Sequence, residues 1–458
     1  MAAEVDANAG TAGPGLTSSR TSVFQRLRSH AHSVRRMGWG VADQAVSSLT
    51  NVAVAIYVVR VLGAVQFGAF SLAYVTYGFA LNASRGLATD PLMVRFSGTG
   101  VRTWRRAVAG STGTAVITGL AIGACVIAAA AVLKGAAGAA FLALGLTLPG
   151  LLLQDSWRYS FFALGRGSQA FLNDMVWVVT LFPALVLLRR TGHADVFWLV
   201  FAWGATACVG AAVGPWQARI APKLPGAWGW VSRHRDLGPR YLAENLSSSI
   251  GAQLQTYGIS LISGLAILGY VRAANTIMGP MTILFAGMAL FSLPEAARIL
   301  RRSPRRLPLF CMLISAALAA AALAWGVILL VTIPRGLGAW LLGPAWQPTY
   351  PLLPPQILYF IALALCLGSG AGVHALGAAR RSLRVVFISA VLQVVFSLVG
   401  AVADGAFGAV TGMAIAQWIS VPLFWWQFRA AIREYGRVPD TGWFRPSRTK
   451  RGHQSTAS

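Results

Sequence analysis

The sequence predicts an all-α integral membrane protein, with twelve transmembrane helices arranged as two pseudo-symmetric six-helix lobes. Three observations predict it. Of the 458 residues, 56% are hydrophobic and only 11% charged, far below the roughly one-quarter charged residues of a soluble domain. Twelve apolar stretches are long enough to cross ~30 Å of hydrocarbon, which takes about 20 residues each. They begin near residues 39, 66, 107, 139, 170, 195, 241, 266, 308, 353, 384 and 406. Finally, the two halves of the chain match each other in order.

The halves align at an offset of 201, where "DQAVSSL" (43–49) lies over "ENLSSSI" (244–250) and Gly63, Gly68 and Gly78 fall on Gly264, Gly269 and Gly279. The basic run "RTWRR" (102–106) meets "RSPRR" (302–306), and "ALGRG" (163–167) meets "ALGAA" (375–379). An even number of spans per half makes these parallel repeats, related by an axis along the membrane normal. The expected organisation is a disordered and basic amphipathic cytoplasmic N-terminus (1–38), with residues 1–20 disordered. An N-lobe (39–215), a basic, proline-bearing linker (216–240), a C-lobe (241–428) and a basic cytoplasmic tail (429–458) follow. The stretch "SVFQRLRSHAHSVRRMGWG" (22–40) suits the anionic inner leaflet.

A net charge of +25, from 38 Lys and Arg against 13 Asp and Glu, raises nucleic acid as a partner, and the placement of the charges excludes it. With the N-terminus in the cytoplasm, the inner segments hold Arg20, Arg26, Arg28, Arg35 and Arg36, then Arg95, Arg102, Arg105 and Arg106, then Arg158 and Arg166. The linker, the segments around Arg301 and Arg381, and the tail continue the series. The outer loops hold only Arg60, Lys134, Arg189, Arg190 and Arg335. This is the positive-inside pattern, and an even span count returns the C-terminus to the cytoplasm. The first apolar run starts too far into the chain and is too long for a signal peptide. Cys125, Cys208, Cys311 and Cys366 fall singly in apolar spans without ligand spacing, as small packing residues do. Gly119 with Gly123 and Gly408 with Gly412 are small-xxx-small pairs that let helices approach closely.

The polar residues of the apolar spans are the functional candidates. An aspartate at the centre of a spanning helix costs roughly 2.5–3.5 kcal/mol on insertion scales, so Asp43 needs protein or water around it. Asp43, Ser47, Thr50 and Asn51 share one helix face, and Glu244, Ser248, Gly251 and Gln255 share the matching face of the second half. Two stripes headed by carboxylates predict a central aqueous cavity. The next span of each half adds Ser71, Tyr74, Asn82 and Arg85, and Arg272, Asn275 and Thr282. Arg272 aligns with Ser71 near the outer end, whereas Arg85 lies about 21 Å further along the equivalent helix at 1.5 Å per residue. Guanidinium forks at either mouth suit phosphate. Asp155 and Arg158, at i and i+3, are expected to pair as an internal salt bridge or gate. Asp174 and His374 stand alone in the sequence, with structural roles. There is no Walker A sequence, no metal-ligand spacing and no polar catalytic loop, so no catalytic residues, no metal and no cofactor are expected.

The segments "RVLGAVQFGAFSLAY" (60–74) and "RGLATDPLMVRF" (85–96) resemble the opening of the polysaccharide transporter family. That family comprises lipid-linked oligosaccharide flippases of the MOP superfamily, which also contains the MATE drug transporters. "YSFFALGRGSQAFLNDMVW" (159–177) is similar to the family's connection between helices 4 and 5, and "LLGPAWQPTYPLLPPQILYF" (341–360) to the start of its helix 10. The resemblance covers most of the chain, and none of these patches is a catalytic signature. High Ala and Gly content and the absence of the extra C-terminal helices of longer relatives depart from the family pattern. The resemblance implies a two-lobed MATE/MOP-like flippase of the bacterial plasma membrane. Its cargo would be a polyprenyl-pyrophosphate-linked glycan for cell-surface polysaccharide synthesis. Its partners would be membrane lipids, a glycan polymerase and glycosyltransferases.

In this reading Arg85 and Arg272 attract the pyrophosphate, Asp43 and Glu244 handle coupling H⁺ or Na⁺, and Ser47, Asn51, Asn82, Gln255 and Asn275 contact the sugars. The alternative is a MATE-type Na⁺- or H⁺-coupled antiporter of cationic drugs, whose cavity would be acidic. A membrane scaffold for glycan-assembly enzymes would need no cavity.

Overall fold

The computed structural model describes residues 17–97, 99–332 and 336–435. The expected disorder of residues 1–16, the tail beyond Tyr435 and Arg335 lie outside them, as do the side chains of 17–38 and of Ser248. Residues 17–20, expected to be irregular, are helical from Thr17, because a helix already nucleated extends by one hydrogen bond per residue added. Among the described residues every regular element is helical.

Ten helical segments are long and apolar enough to cross a membrane, and the chain is a multi-pass membrane protein. Backbone breaks inside three merged segments give the twelve spans. The first, at Gly63 (φ 73°, ψ −179°), separates α1 (17–62) from α2 (64–96). Then come α3 (Val101–Val132), α4 (Gly135–Ala163), α5 (Gly167–Arg190), α6 (Val196–Ala218) and the short linker helix α7 (Ala227–Arg233). Gly264 (φ 86°, ψ 171°) separates α8 (238–263) from α9 (265–302), which bends at Met278. The remainder is α10 (Leu307–Thr332), short α11 (Leu337–Leu342), α12 (Leu353–Ala375), α13 (379–403) and α14 (406–435), the last two parted at Asp404 and Gly405. Gly63 and Gly264 sit in a backbone region that essentially only glycine enters. They are also the first glycines matched by the 201-residue offset.

The helices cluster into two compact units. The first contains 1–51, 77–134 and 138–246, and the second 52–76, 135–137 and 247–458. The Gly63 ends of α1 and α2 therefore pack with the second half of the chain.

In the first unit Trp104, Trp157, Phe161, Leu92 and Trp230 form the apolar core. Each buried indole N–H has an acceptor: Trp104 donates to the Ser160 carbonyl (2.9 Å), Trp157 to Ala211 (3.1 Å) and Trp230 to Leu87 (3.2 Å). An unsatisfied donor in lipid is costly, so these bonds fix ring orientation as well as depth. Gly119 and Gly123 lie against the α4 backbone at Pro149 and Gly145. The linker docks here too. Its Lys223 N–H donates to the Ala109 carbonyl (2.8 Å), Arg95 pairs with Asp236 (2.5 Å), and the His234 ring lies 4.1 Å from that of Trp230. Burial pushes the His234 imidazole below its ordinary value, outweighing its Nδ1 contact with the Trp230 carbonyl.

In the second unit Leu300, Leu307, Cys311, Val373 and Phe428 form a core. Gly408 abuts the carbonyl of Gly400, and Gly412 that of Phe396, so α13 and α14 touch backbone to backbone. All four cysteines are free thiols, with Cys311 and Cys366 buried in packing positions and Cys125 exposed.

Candidate functional site

Each unit carries a polar cluster among its apolar helices. In the first, α2 contains a π-turn, Arg85–Thr89, the single-turn insertion that often marks functional positions. Arg85 from this turn grips Asp155 of α4 with two parallel hydrogen bonds, Nε to Oδ2 at 3.0 Å and Nη2 to Oδ1 at 2.7 Å. Its guanidinium also lies over the Tyr159 ring, 4.9 Å from the centroid.

One turn along α4, Arg158 pairs with Asp43 of α1 and reaches Asp174 of α5 at 3.5 Å. Asp43 is 0% exposed, and its Oδ1 is buried without a partner. Gln154 donates to Asp174 at 2.7 Å, and Asn173 donates to Gln217 and to the Gly210 carbonyl, each at 2.9 Å. Three carboxylates thus share two guanidiniums in this network, one carboxylate more than its cations can pair.

These contacts correct two expectations. Asp155 and Arg158 do not form the i, i+3 pair. Asp155 goes to Arg85 and Arg158 to Asp43 and Asp174, because carboxylates on facing helices meet a guanidinium fork more squarely than one on the same helix. Asp174, which stands alone in the sequence, is a full member of the network. Gln154, Asn173 and Gln217 were not anticipated. Their signal was the adjacent polar pairs Gln154-Asp155 and Asn173-Asp174 inside apolar spans.

The two stripes of the sequence repeat differ in environment. Asp43 is buried on Arg158, while Ser47, Asn51 and Asn82 are half-buried. Glu244 is exposed, and its neighbour Asn245 donates to Asp90 at 2.7 Å. The second half has no arginine in the stretch matching Arg158, so nothing there would compensate a buried glutamate. His374, also alone in the sequence, contacts Ser382 Oγ at 3.2 Å.

The second unit holds Arg272 on α9. Its guanidinium interacts electrostatically with Tyr74 of α2, and among the described residues no carboxylate pairs with it. Asn275, one turn on, accepts from Gln356 of α12 at 3.3 Å. Gln255 of α8 is half-buried with its Nε2 lacking a partner. Ser71, the counterpart of Arg272 in the repeat, is 2% exposed. A guanidinium held within the spans without a carboxylate is costly, and such residues commonly mark ion or substrate pathways.

No protein-family model and no curated protein sequence matches the chain. Solved structures match it over most of its length. A multidrug-resistance MATE family transporter of the MOP superfamily in its inward-facing conformation aligns with a TM-score of 0.67 at 14% identity, covering 85% of this chain and 96% of that one. The lipid II flippase MurJ, in an inward closed conformation, aligns at 0.63 and 10% identity, covering 86% and 90%. A MOP superfamily transporter from Pyrococcus furiosus Vc1 (DSM3638), described as having a binding pocket of reverse polarity that suggests a different function, aligns at 0.55 and 16% identity, covering 89% and 96%. The chain has the twelve-helix fold of the MOP superfamily.

Proposed function

We propose that the protein is an alternating-access flippase that moves a polyprenyl-(pyro)phosphate-linked oligosaccharide from the inner to the outer leaflet for cell-surface polysaccharide synthesis. The observation that carries this reading is Arg272, an arginine among apolar helices that no described carboxylate neutralises. Its planar fork is suited to a phosphate oxygen pair, and Asn275, Gln356 and Gln255 supply amides for sugar hydroxyls. Arg85, the other arginine of the substrate-path stripes, has its fork occupied by Asp155, so anion recognition rests on Arg272. The fold shared with a lipid II flippase supports the class.

A MATE-type exchanger of cationic drugs is the weaker reading. Such a cargo calls for available carboxylates, and Asp43, Asp155 and Asp174 are engaged by Arg85 and Arg158. The same network supports a coupling role. Its surplus carboxylate is one that a single H⁺ would neutralise, and Arg158 already supplies the cation beside both Asp43 and Asp174, so H⁺ is the favoured coupling ion. The positive-inside asymmetry supports an orientation with both termini cytoplasmic, and the flippase reading places the chain in a bacterial plasma membrane. A glycan polymerase and glycosyltransferases are the partners this role requires.

Depletion in the native host, followed by mass spectrometry of lipid-linked glycans with a sidedness probe on spheroplasts, tests the proposal. Polyprenyl-linked saccharide should accumulate on the inner face. An unchanged lipid pool together with new sensitivity to cationic drugs would replace the flippase by the antiporter.

A further inference from the structure

The second unit contains an apolar cavity of about 440 Å³, a size in the range of small-molecule sites. Its walls are Val52 and Ile56 of α1, Ile277 at the bend of α9, Trp325 and Ile328 of α10, and Leu341 of α11. Local sequence builds it. Pro280 has no N–H for the Thr276 carbonyl, so the helix is interrupted at Met278. Gly279 lets Val52 close the floor, for a Cβ there would stand 2.8 Å from Val52 Cγ2.

The polar groups at the bend are satisfied within the protein. Trp325 Nε1 donates to the Ile277 carbonyl at 3.3 Å, and Thr276 Oγ1 to the Arg272 carbonyl at 2.8 Å. Water needs two to four polar partners in such a space, and this lining offers next to none. At membrane depth, with Ile328 49% exposed, hydrocarbon is the natural occupant.

Arg272 and Thr276 lie one helical turn apart on the same face of α9, about 6 Å at 1.5 Å per residue. A cation without a carboxylate partner and a dry slot thus adjoin on one helix, in the order in which a polyprenyl phosphate presents its phosphate and its single chain. We infer that the cavity holds a segment of the hydrocarbon chain of the polyprenyl carrier while its phosphate rests at Arg272. This inference builds on the flippase reading and adds a tail subsite to it.

Filling the cavity from opposite walls with Ile56→Trp and Ile328→Trp tests it in the purified full-length protein. Retention of polyprenyl phosphate, phosphatidate and inorganic pyrophosphate is measured by native mass spectrometry, and thermal midpoints verify folding. Each variant should hold polyprenyl phosphate about tenfold more weakly, the loss expected for roughly two methylenes returned to solvent, with phosphatidate and pyrophosphate unchanged. Wild-type retention of polyprenyl phosphate that both variants preserve would overturn the tail subsite and leave the flippase reading standing. An equal loss of phosphatidate would make the cavity a general lipid site and overturn its assignment to the carrier. A wild-type protein that ignores polyprenyl phosphate would overturn the flippase reading along with the subsite.

Discussion

Gly68 of α2 lies against the backbone carbonyl of Leu265 so closely that no Cβ fits between them. The relationship is reciprocal, since Gly269 meets the carbonyl of Ala64 in the same way. Each member is displaced from its counterpart by the 201 residues of the sequence repeat, so the Gly63 and Gly264 corners clasp each other about a local pseudo-two-fold axis. Valine at either position forces the two backbones apart. Overpacking of this kind costs typically ~1–3 kcal/mol. Because both glycines serve one contact, Gly68→Val and Gly269→Val should lower the thermal midpoint by similar amounts, and the double variant by less than their sum. Additive losses would show that the two contacts are independent.

The buried ion network predicts an asymmetry between single and paired substitutions. Arg158→Ala leaves Asp43 fully buried with no counter-charge, and removing one partner of a buried pair typically costs about 3–5 kcal/mol. Replacing the group with neutral residues, Arg158→Met with Asp43→Asn and Asp174→Asn, removes the orphaned charges along with the guanidinium. The triple variant should therefore unfold at a higher temperature than Arg158→Ala alone. A single substitution that is harmless to the thermal midpoint would contradict the pairing.

The partition between what the sequence disclosed and what it concealed follows from the range of the interactions. Spans are local periodic features, and the 201-residue offset picked out Gly63 and Gly264 because the same break is needed in both halves. Gly408 and Gly412 were legible for the same reason, as small residues at helical spacing mark a close approach whatever the neighbour. The ion network depends on which helices face one another, which no local spacing encodes. Asp155 and Arg158 invited a pairing by proximity, yet their partners lie 70 and 115 residues away in the chain. The equivalence of Asp43 and Glu244 also misled, because a repeat preserves backbone geometry more faithfully than charge. The apolar cavity had no sequence signature, since its walls come from four helices.

His234 supplies a pH dependence with a definite sign. Its imidazole, buried against Trp230 and Phe96, titrates below the ordinary histidine value near 6.5. The docked linker thus binds fewer protons than the undocked one between the two values, and stability rises with pH across that window. The contribution is complete above about pH 6.5 and is lost as pH falls through the lowered value. Hydrogen exchange of the amides around 227–238 should accelerate on acidification through this range. His234→Phe keeps the ring contact and removes the titration, so its exchange should be flat with pH apart from the intrinsic chemical rate. Unaltered pH dependence in that variant would show that His234 is not the titrating group.

Arg272 separates the transport readings most directly. If it binds an anionic headgroup, Arg272→Glu reverses the charge at the point of recognition and should abolish transport in a complementation assay while expression and membrane insertion persist. Arg272→Lys keeps the charge but offers a compact ammonium in place of the planar fork, so bidentate contacts are lost and partial activity should remain. Removing a charge-assisted hydrogen bond costs about 1.5–3 kcal/mol, roughly tenfold or more in apparent affinity, and this should appear as a raised substrate requirement in the lysine variant. For a cationic cargo the order inverts: glutamate would improve uptake and lysine would behave as wild type. Full activity in Arg272→Glu would remove this residue from the substrate path altogether and leave the polar face of α8 at Gln255 as the next position to probe.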